Sequence, residues 1–275
     1  MQGIYLHNIY HYQEDKMIKK TSLFAVALVA VAFLSSSAGA QDLSTAREVL
    51  EAHIEATGGA AAWNSVTDMY AEATVDVGTP MGDLSIELKT WSIFPGYGYT
   101  EMNLVAGPDG IPAEMVNMKA YYSPLEGWVE SAQGRQDMES LPPQARQQFQ
   151  RSSPKTELAM LDQADSTLVL LPESTFNERA VYVVGVTQFG VESKVMFDKE
   201  TLLILAQTSD TPAGTVTTTM SNYIEVNGLL FSGGQSSDTP GQSQSVVFSK
   251  IEIDMGVTPG ELATKSGSRK AAAPE

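Results

Sequence analysis

The stretch "AREVLEAHIEATGGAAAWNSVTDMYAEATVDV", residues 46–77, contains the change of period on which the fold depends. Up to Thr57 the apolar residues recur at helical spacing. Val49, Leu50, His53, Ile54 and Ala56 make one stripe, as a helix with one buried face requires. Thr45 stands three residues before Glu48, the spacing of a capping box. The pattern predicts a helix over 45–57, stopped by Gly58 and Gly59. "AAAW" adds one short turn that plants Trp63. From Thr67 the period is two. Met69, Ala71, Ala73, Val75 and Val77 fall on one face, and Asp68, Tyr70, Glu72, Thr74 and Asp76 on the other, which is a half-buried strand.

The strand pattern then continues. "GTPMGD" (78–83) is a turn, and "LSIELKTWSIF" (84–94) is a second strand with Leu84, Ile86 and Leu88 inward. "YTEMNLV" (99–105) and "AEMVNMKAYY" (113–122) read as the third and fourth strands, and "SPLEGWVES" (123–131) closes a hairpin carrying Trp128. Consecutive strands with short connections pair antiparallel, because parallel pairing needs long crossovers. "LPPQARQQFQRSSPKTELAMLDQAD" (141–165) lacks alternation, and it predicts two short helices, Pro143–Arg151 and Thr156–Gln163, broken at Pro154. Strands resume at 166–174 and 179–188. Two hairpins follow, one turning at Asp198–Thr201 and one at Asn227–Gly228, and a last strand lies within 244–257. The pattern amounts to about ten strands. One domain over 41–259 and a polar, disordered tail over 260–275 complete this reading. The fold class is α+β and mainly β: a large curved antiparallel sheet with an N-terminal helix and inserted helices on one face.

The N-terminal region predicts export. Lys19 and Lys20 follow Met17, Leu23–Leu34 is an apolar run, and "AGA" precedes Gln41. These are the three parts of a signal peptide over 17–40, with 1–16 as an upstream extension. The run is too short to cross a bilayer, which takes about 20 residues. The expected location is the periplasm after cleavage. A formal net charge of -16 argues against nucleic-acid binding, which needs clustered cations, and disfavours anionic headgroups. The chain has no cysteine, which removes thiol catalysis, cysteine-bound zinc, disulfides and a lipid anchor on an N-terminal cysteine.

No catalytic or cofactor set emerges. His53 is the sole histidine of the exported part, and at the edge of a helical stripe it packs rather than reacts. No nucleophile elbow, phosphate loop, dinucleotide fingerprint or calcium loop occurs. The chain is therefore expected to be no enzyme and to hold neither cofactor nor metal. Apolar side chains remain as candidates. Trp91, Phe94, Met102, Leu104, Met115, Met118, Tyr121, Tyr122 and Trp128 crowd the early strands, and Leu158, Met160 and Leu161 lie on the inserted helices. They make either a packed core or the wall of a lipid-sized cavity.

Three stretches carry a resemblance. Residues 46–77 are similar to the opening of the outer-membrane lipoprotein-sorting (LolA/LolB-like) proteins: a helix, a glycine pair and a first long strand. "RAVYVVGVTQFGVESKVMFDKETLLILAQTS" (179–209) resembles that family's hairpin with a Phe-Asp-x-x-Thr turn, and "NYIEVNGLLF" (222–231) resembles its following hairpin. The resemblance implies an unclosed antiparallel β-barrel with helices over its concave side, a periplasmic location and an interior for acyl chains. The partners it implies are an acylated ligand, lipid or lipoprotein, and a membrane-bound donor or acceptor protein, with the protein itself a monomer. The alternative on the same fold is a protein-interaction or sensory module.

Overall fold

The computed structural model describes residues 42–140, 155–161, 167–188, 191–211, 214–239 and 242–267. Helix α1 (Ala46–Ala56) begins at Thr45. The Glu48 amide donates to the Thr45 hydroxyl at 3.2 Å, and the Thr45 amide donates to the Glu48 carboxylate at 3.0 Å. A cap of this kind contributes about 1 kcal/mol. Val49 and Leu50 are fully buried among Val184, Val195 and Phe197, and each such burial contributes about 1.5–3 kcal/mol. Gly58 follows at φ +123°, where a Cβ would come within 2.6 Å of the Gly228 carbonyl oxygen and of Leu229 Cδ2. The glycine is needed for its backbone conformation and for this close approach. On α2 (Ala60–Ser65), Trp63 lies edge-on to Phe231 at 4.9 Å, and its Nε1 donates to Thr57 Oγ1.

The early strands are β1 (Asp68–Thr79), β2 (Gly82–Ile93), β3 (Tyr97–Ala106), β4 (Met118–Tyr122), β5 (Gly127–Ser131) and β6 (Gly134–Asp137). A single turn of helix, α3 (Ala113–Val116), precedes β4, and α4 (Thr156–Leu161) follows β6. The later strands are β7 (Leu168–Phe176), β8 (Arg179–Gln188), β9 (Val191–Asp198), β10 (Ile204–Thr211), β11 (Gly214–Ser221), β12 (Ile224–Val226), β13 (Leu229–Phe231), β14 (Gly234–Thr239) and β15 (Gln242–Ile253). The chain ends its described part in α5 (Pro259–Ser266).

Thirteen strands form one sheet in the order β6-β5-β4-β3-β2-β1-β15-β14-β11-β10-β9-β8-β7. Strands β1–β6 meander outward to one edge, and β7–β11 come back from the other. The two wings meet where β15 pairs with β1, Met69 opposite Ile253. Both β6 and β7 are edges, so the sheet is an unclosed barrel. Strands β12 and β13 form a separate hairpin, turned at Asn227 and Gly228, both at positive φ. The Leu230 amide donates to the Thr57 carbonyl, which fastens this hairpin to the end of α1.

Three expectations change. The described residues form fifteen strands rather than about ten: the short polar β6 is added, and the stretches 214–226 and 229–239 each divide in two. Residues 113–116 are helical, not part of the fourth strand. The tail does not become disordered at 260: α5 has its own capping box, Thr258 with Glu261, and buries Leu262 and Ala263. The helix expected at 143–151 and the N-terminal segments 1–16 and 17–40 lie outside the described residues. Among those residues no helix is long and apolar enough to cross a membrane.

Candidate functional site

The register decides what each face of the sheet carries. Met69, Ala71, Ala73, Val75 and Val77 of β1 share a face with Phe248 and Val246 of β15. The same face continues through Gln235, Met220 and Thr218 to Val195, Phe197, Val184 and Tyr182. Helices α1 and α2 and the β12–β13 hairpin pack here, which makes it the inner face. In the other direction it continues through Ile86 and Leu88 of β2, Met102 and Leu104 of β3, and Met118 and Tyr122 of β4. Ile86 is buried, and Leu88, Met102, Leu104, Met118 and Tyr122 are half-buried. The result is an apolar wall that the described helices leave partly open.

Every charged residue of the large sheet that the register pairs lies on the other, outer face. One row runs Lys250, Glu72, Lys89, Glu101, Lys119, Glu130, Arg135 across seven adjacent strands, opposite in sign at each step. The neighbouring row is aromatic: Tyr70, Trp91, Tyr99, Tyr121, Trp128. Tyr70 and Trp91 rings lie 4.8 Å apart, and Trp91 and Tyr99 5.6 Å apart. The rows interlock. The Tyr99 hydroxyl donates to Glu101 at 2.7 Å, and Tyr70 donates to Glu72. Burial, and then these carboxylates, push both phenols up from their ordinary value. Helix α5 covers the aromatic row with Leu262 and Ala263, and Lys265 sits 4.1 Å above the Trp91 ring. Arg135 lies 3.6 Å over Trp128. An open cleft of about 770 Å³ lies between α5 and Trp91, on this outer side.

The structure therefore divides the predicted apolar set. Met102, Leu104, Met118 and Tyr122 come together on the inner face. Phe94, Leu158 and Leu161 pack around the cluster of Ile54, Trp63, Met69 and Phe231. Trp91, Trp128 and Tyr121 belong to the outer row, because a strand sends successive side chains to opposite faces. Met115 is 71% exposed on α3. Ile86 complements the inner set, and its alternation with Glu87 was its sequence signal.

His53 is buried, edge-on to Phe197 at 5.2 Å, and its Nδ1–H donates to the Leu202 carbonyl at 2.8 Å. Burial lowers its pKa, so it packs neutral. The Phe-Asp-x-x-Thr turn is structural too. Asp198 Oδ1 accepts from the Glu200 and Thr201 amides and the Thr201 hydroxyl, and Oδ2 pairs with Arg179 at 2.8 Å. On α4, burial pushes the Glu157 carboxyl up. Among the described residues no group of three or more His, Cys, Asp or Glu side chains is placed to hold a metal ion.

The unclosed thirteen-strand sheet with helices on its inner face has counterparts among solved structures. A DUF1329 family protein from Desulfovibrio piger superposes with a TM-score of 0.56 at 15% identity, over 80% of this chain and 98% of that one. A putative outer membrane lipoprotein-sorting protein domain from Vibrio parahaemolyticus gives 0.54 at 14% identity, over 81% and 98%. This chain has the LolA-like fold. A LolA superfamily protein from Nitrosomonas europaea agrees, with 0.51 at 12% identity over 77% and 94%. No protein-family model matches the sequence, and no curated protein matches it. The LolA-like likeness is one of architecture, and the chemistry has to come from this chain's own side chains.

Proposed function

We propose that this LolA-like protein is a periplasmic carrier that holds acyl chains against the inner face of its sheet, after export by the signal peptide at 17–40. One observation carries the reading: every charged residue of the large sheet that the register pairs lies on the outer face, while the inner face of β1–β4 carries an apolar wall of Val75, Ile86, Leu88, Met102, Leu104, Met118 and Tyr122, broken by Thr90 and Thr100. Each CH₂ buried there contributes about 0.8 kcal/mol, which suits reversible holding of a long chain. Phe94, Leu158 and Leu161 pack with Ile54, Trp63, Met69 and Phe231 on the helix side. The cargo is a lipid or the lipid part of a lipoprotein, passed between membrane-bound donor and acceptor proteins. The function is binding rather than catalysis and needs no cofactor.

Native mass spectrometry of the protein recovered from a periplasm without detergent tests this. The expected spectrum shows extra mass that dissociates as an acylated molecule. A clean unliganded mass, with no uptake of added lipid, rejects the carrier and leaves a protein-interaction module on the same fold.

A further inference from the structure

The inner face is not apolar throughout. Gln244 on β15 stands opposite Ser237 on β14, Ser237 opposite Thr218 on β11, and Thr218 opposite Gln207 on β10. The row continues into Val77 and Leu84 at one end and into Val195 and Val184 at the other. Gln235 and Ser209 flank it in the adjacent rows of the same face. All but Gln244 are half-buried. Among the described residues, no hydrogen bond to protein occupies any of these six side chains. The ladder crosses three strand-to-strand gaps of about 4.8 Å, so it is about 14 Å long.

We infer that this ladder receives the headgroup of the cargo, and that the headgroup is uncharged and carries hydroxyls, as a sugar or a polyol does. The inference rests on the acyl-carrier reading. Gln, Ser and Thr side chains both donate and accept, which is what hydroxyl groups require of a partner. A phosphate requires a cation, best a guanidinium fork. Among the described residues, the inner-facing strand positions that the register pairs supply none. Arg47 and Lys155 reach the helix side, but there they donate to the backbone carbonyls of Leu161, Asn64 and Val66. A charged headgroup on this wall would lose hydration without gaining a counter-charge. The apolar wall lies beside the ladder, one strand away through Val77 and Leu84, so a chain and its headgroup fit the same face.

The test is displacement of an environment-sensitive acyl probe from the exported protein by five amphiphiles of one chain length: an alcohol, a glycerol ether, a maltoside, a phosphate and a trimethylammonium. The maltoside, the glycerol ether or both should bind at least tenfold tighter than the phosphate and the ammonium, and which of the two leads tells sugar from polyol. The double variant Gln207→Leu, Thr218→Val should erase that advantage over the plain alcohol and leave the alcohol unchanged. If that variant fails to fold, Ser237→Ala with Gln244→Leu on the neighbouring strands serves the same purpose. A phosphate that binds as tightly as the maltoside and the ether, or an advantage that survives the substitutions, overturns the headgroup assignment while the carrier stands. Failure of the probe and every amphiphile to bind overturns both.

Discussion

The two faces of the sheet are made by the same strands and have opposite chemistry. Inward lie Val75, Ile86, Leu88, Met102 and Met118, and beyond them an uncharged polar ladder. Outward, one residue along each strand, lie Thr74 or Asp76, Glu87, Lys89, Glu101 and Lys119. The outer face is largely satisfied by its own groups: neighbouring charges face one another, the tyrosine hydroxyls engage the glutamates, and α5 packs on the aromatic row, leaving an open cleft beside Trp91. Among the described residues, no helix covers the inner face over β2–β4 in the same way. Hydrophobic side chains therefore mean different things on the two sides. Trp91 and Trp128 are larger than Met102 and Met118, yet they finish a core, whereas the methionines line a partly open wall.

The largest effect should come from breaking the segregation. Ile86→Glu places a charge on the inner face with no partner, and it should cost about 3 kcal/mol or more. Glu87→Ile, one residue along on the outer face, should stay within about 0.5 kcal/mol. Urea unfolding compares the two, and equal losses would mean that the inner face is as wet as the outer. Next, Asp198→Ala removes a buried carboxylate from Arg179 and from three turn donors. A loss of about 3 kcal/mol is expected in the same assay, with acyl-probe affinity unchanged.

A subtler separation compares Trp91→Leu with Leu88→Ser. The tryptophan variant should lower stability by about 1–3 kcal/mol and leave probe binding intact. Leu88→Ser should weaken probe binding several-fold, since it removes apolar wall. Reversed outcomes would move the site to the cleft under α5. The smallest effect is that of pH on His53. Burial holds its pKa below the ordinary 6.5, so the unfolded chain takes up the proton more readily. Its contribution is complete above pH 6.5 and falls as the pH drops from there towards the folded-state value. The urea midpoint followed downward from about pH 7.5 should show this slope, and His53→Gln should flatten it.

Much of this was legible along the chain. The capping box, the α1 stripe, the glycine stop and the change to period two in residues 46–77 are local patterns, and each element formed within one or two residues of them. The hairpin turns at Asp198–Thr201 and Asn227–Gly228 were equally local. Helix α5 was missed because eight residues of small and polar character look like a tail until Leu262 and Ala263 find the aromatic row.

The site was legible only in part, since a list of apolar residues does not say which face each one takes. By itself, the sequence determined the elements, their antiparallel order and the alternation along each strand, because those follow from backbone geometry over a few residues. Only the tertiary structure decided that β1 pairs with β15, almost the whole domain apart, and that thirteen strands share one register. That long-range pairing turned scattered glutamates and lysines into one alternating row, and Gln244, Ser237, Thr218 and Gln207 into one ladder. Residues on different strands become neighbours through hydrogen bonding between strands, and no pattern within a single strand encodes which strand lies beside it.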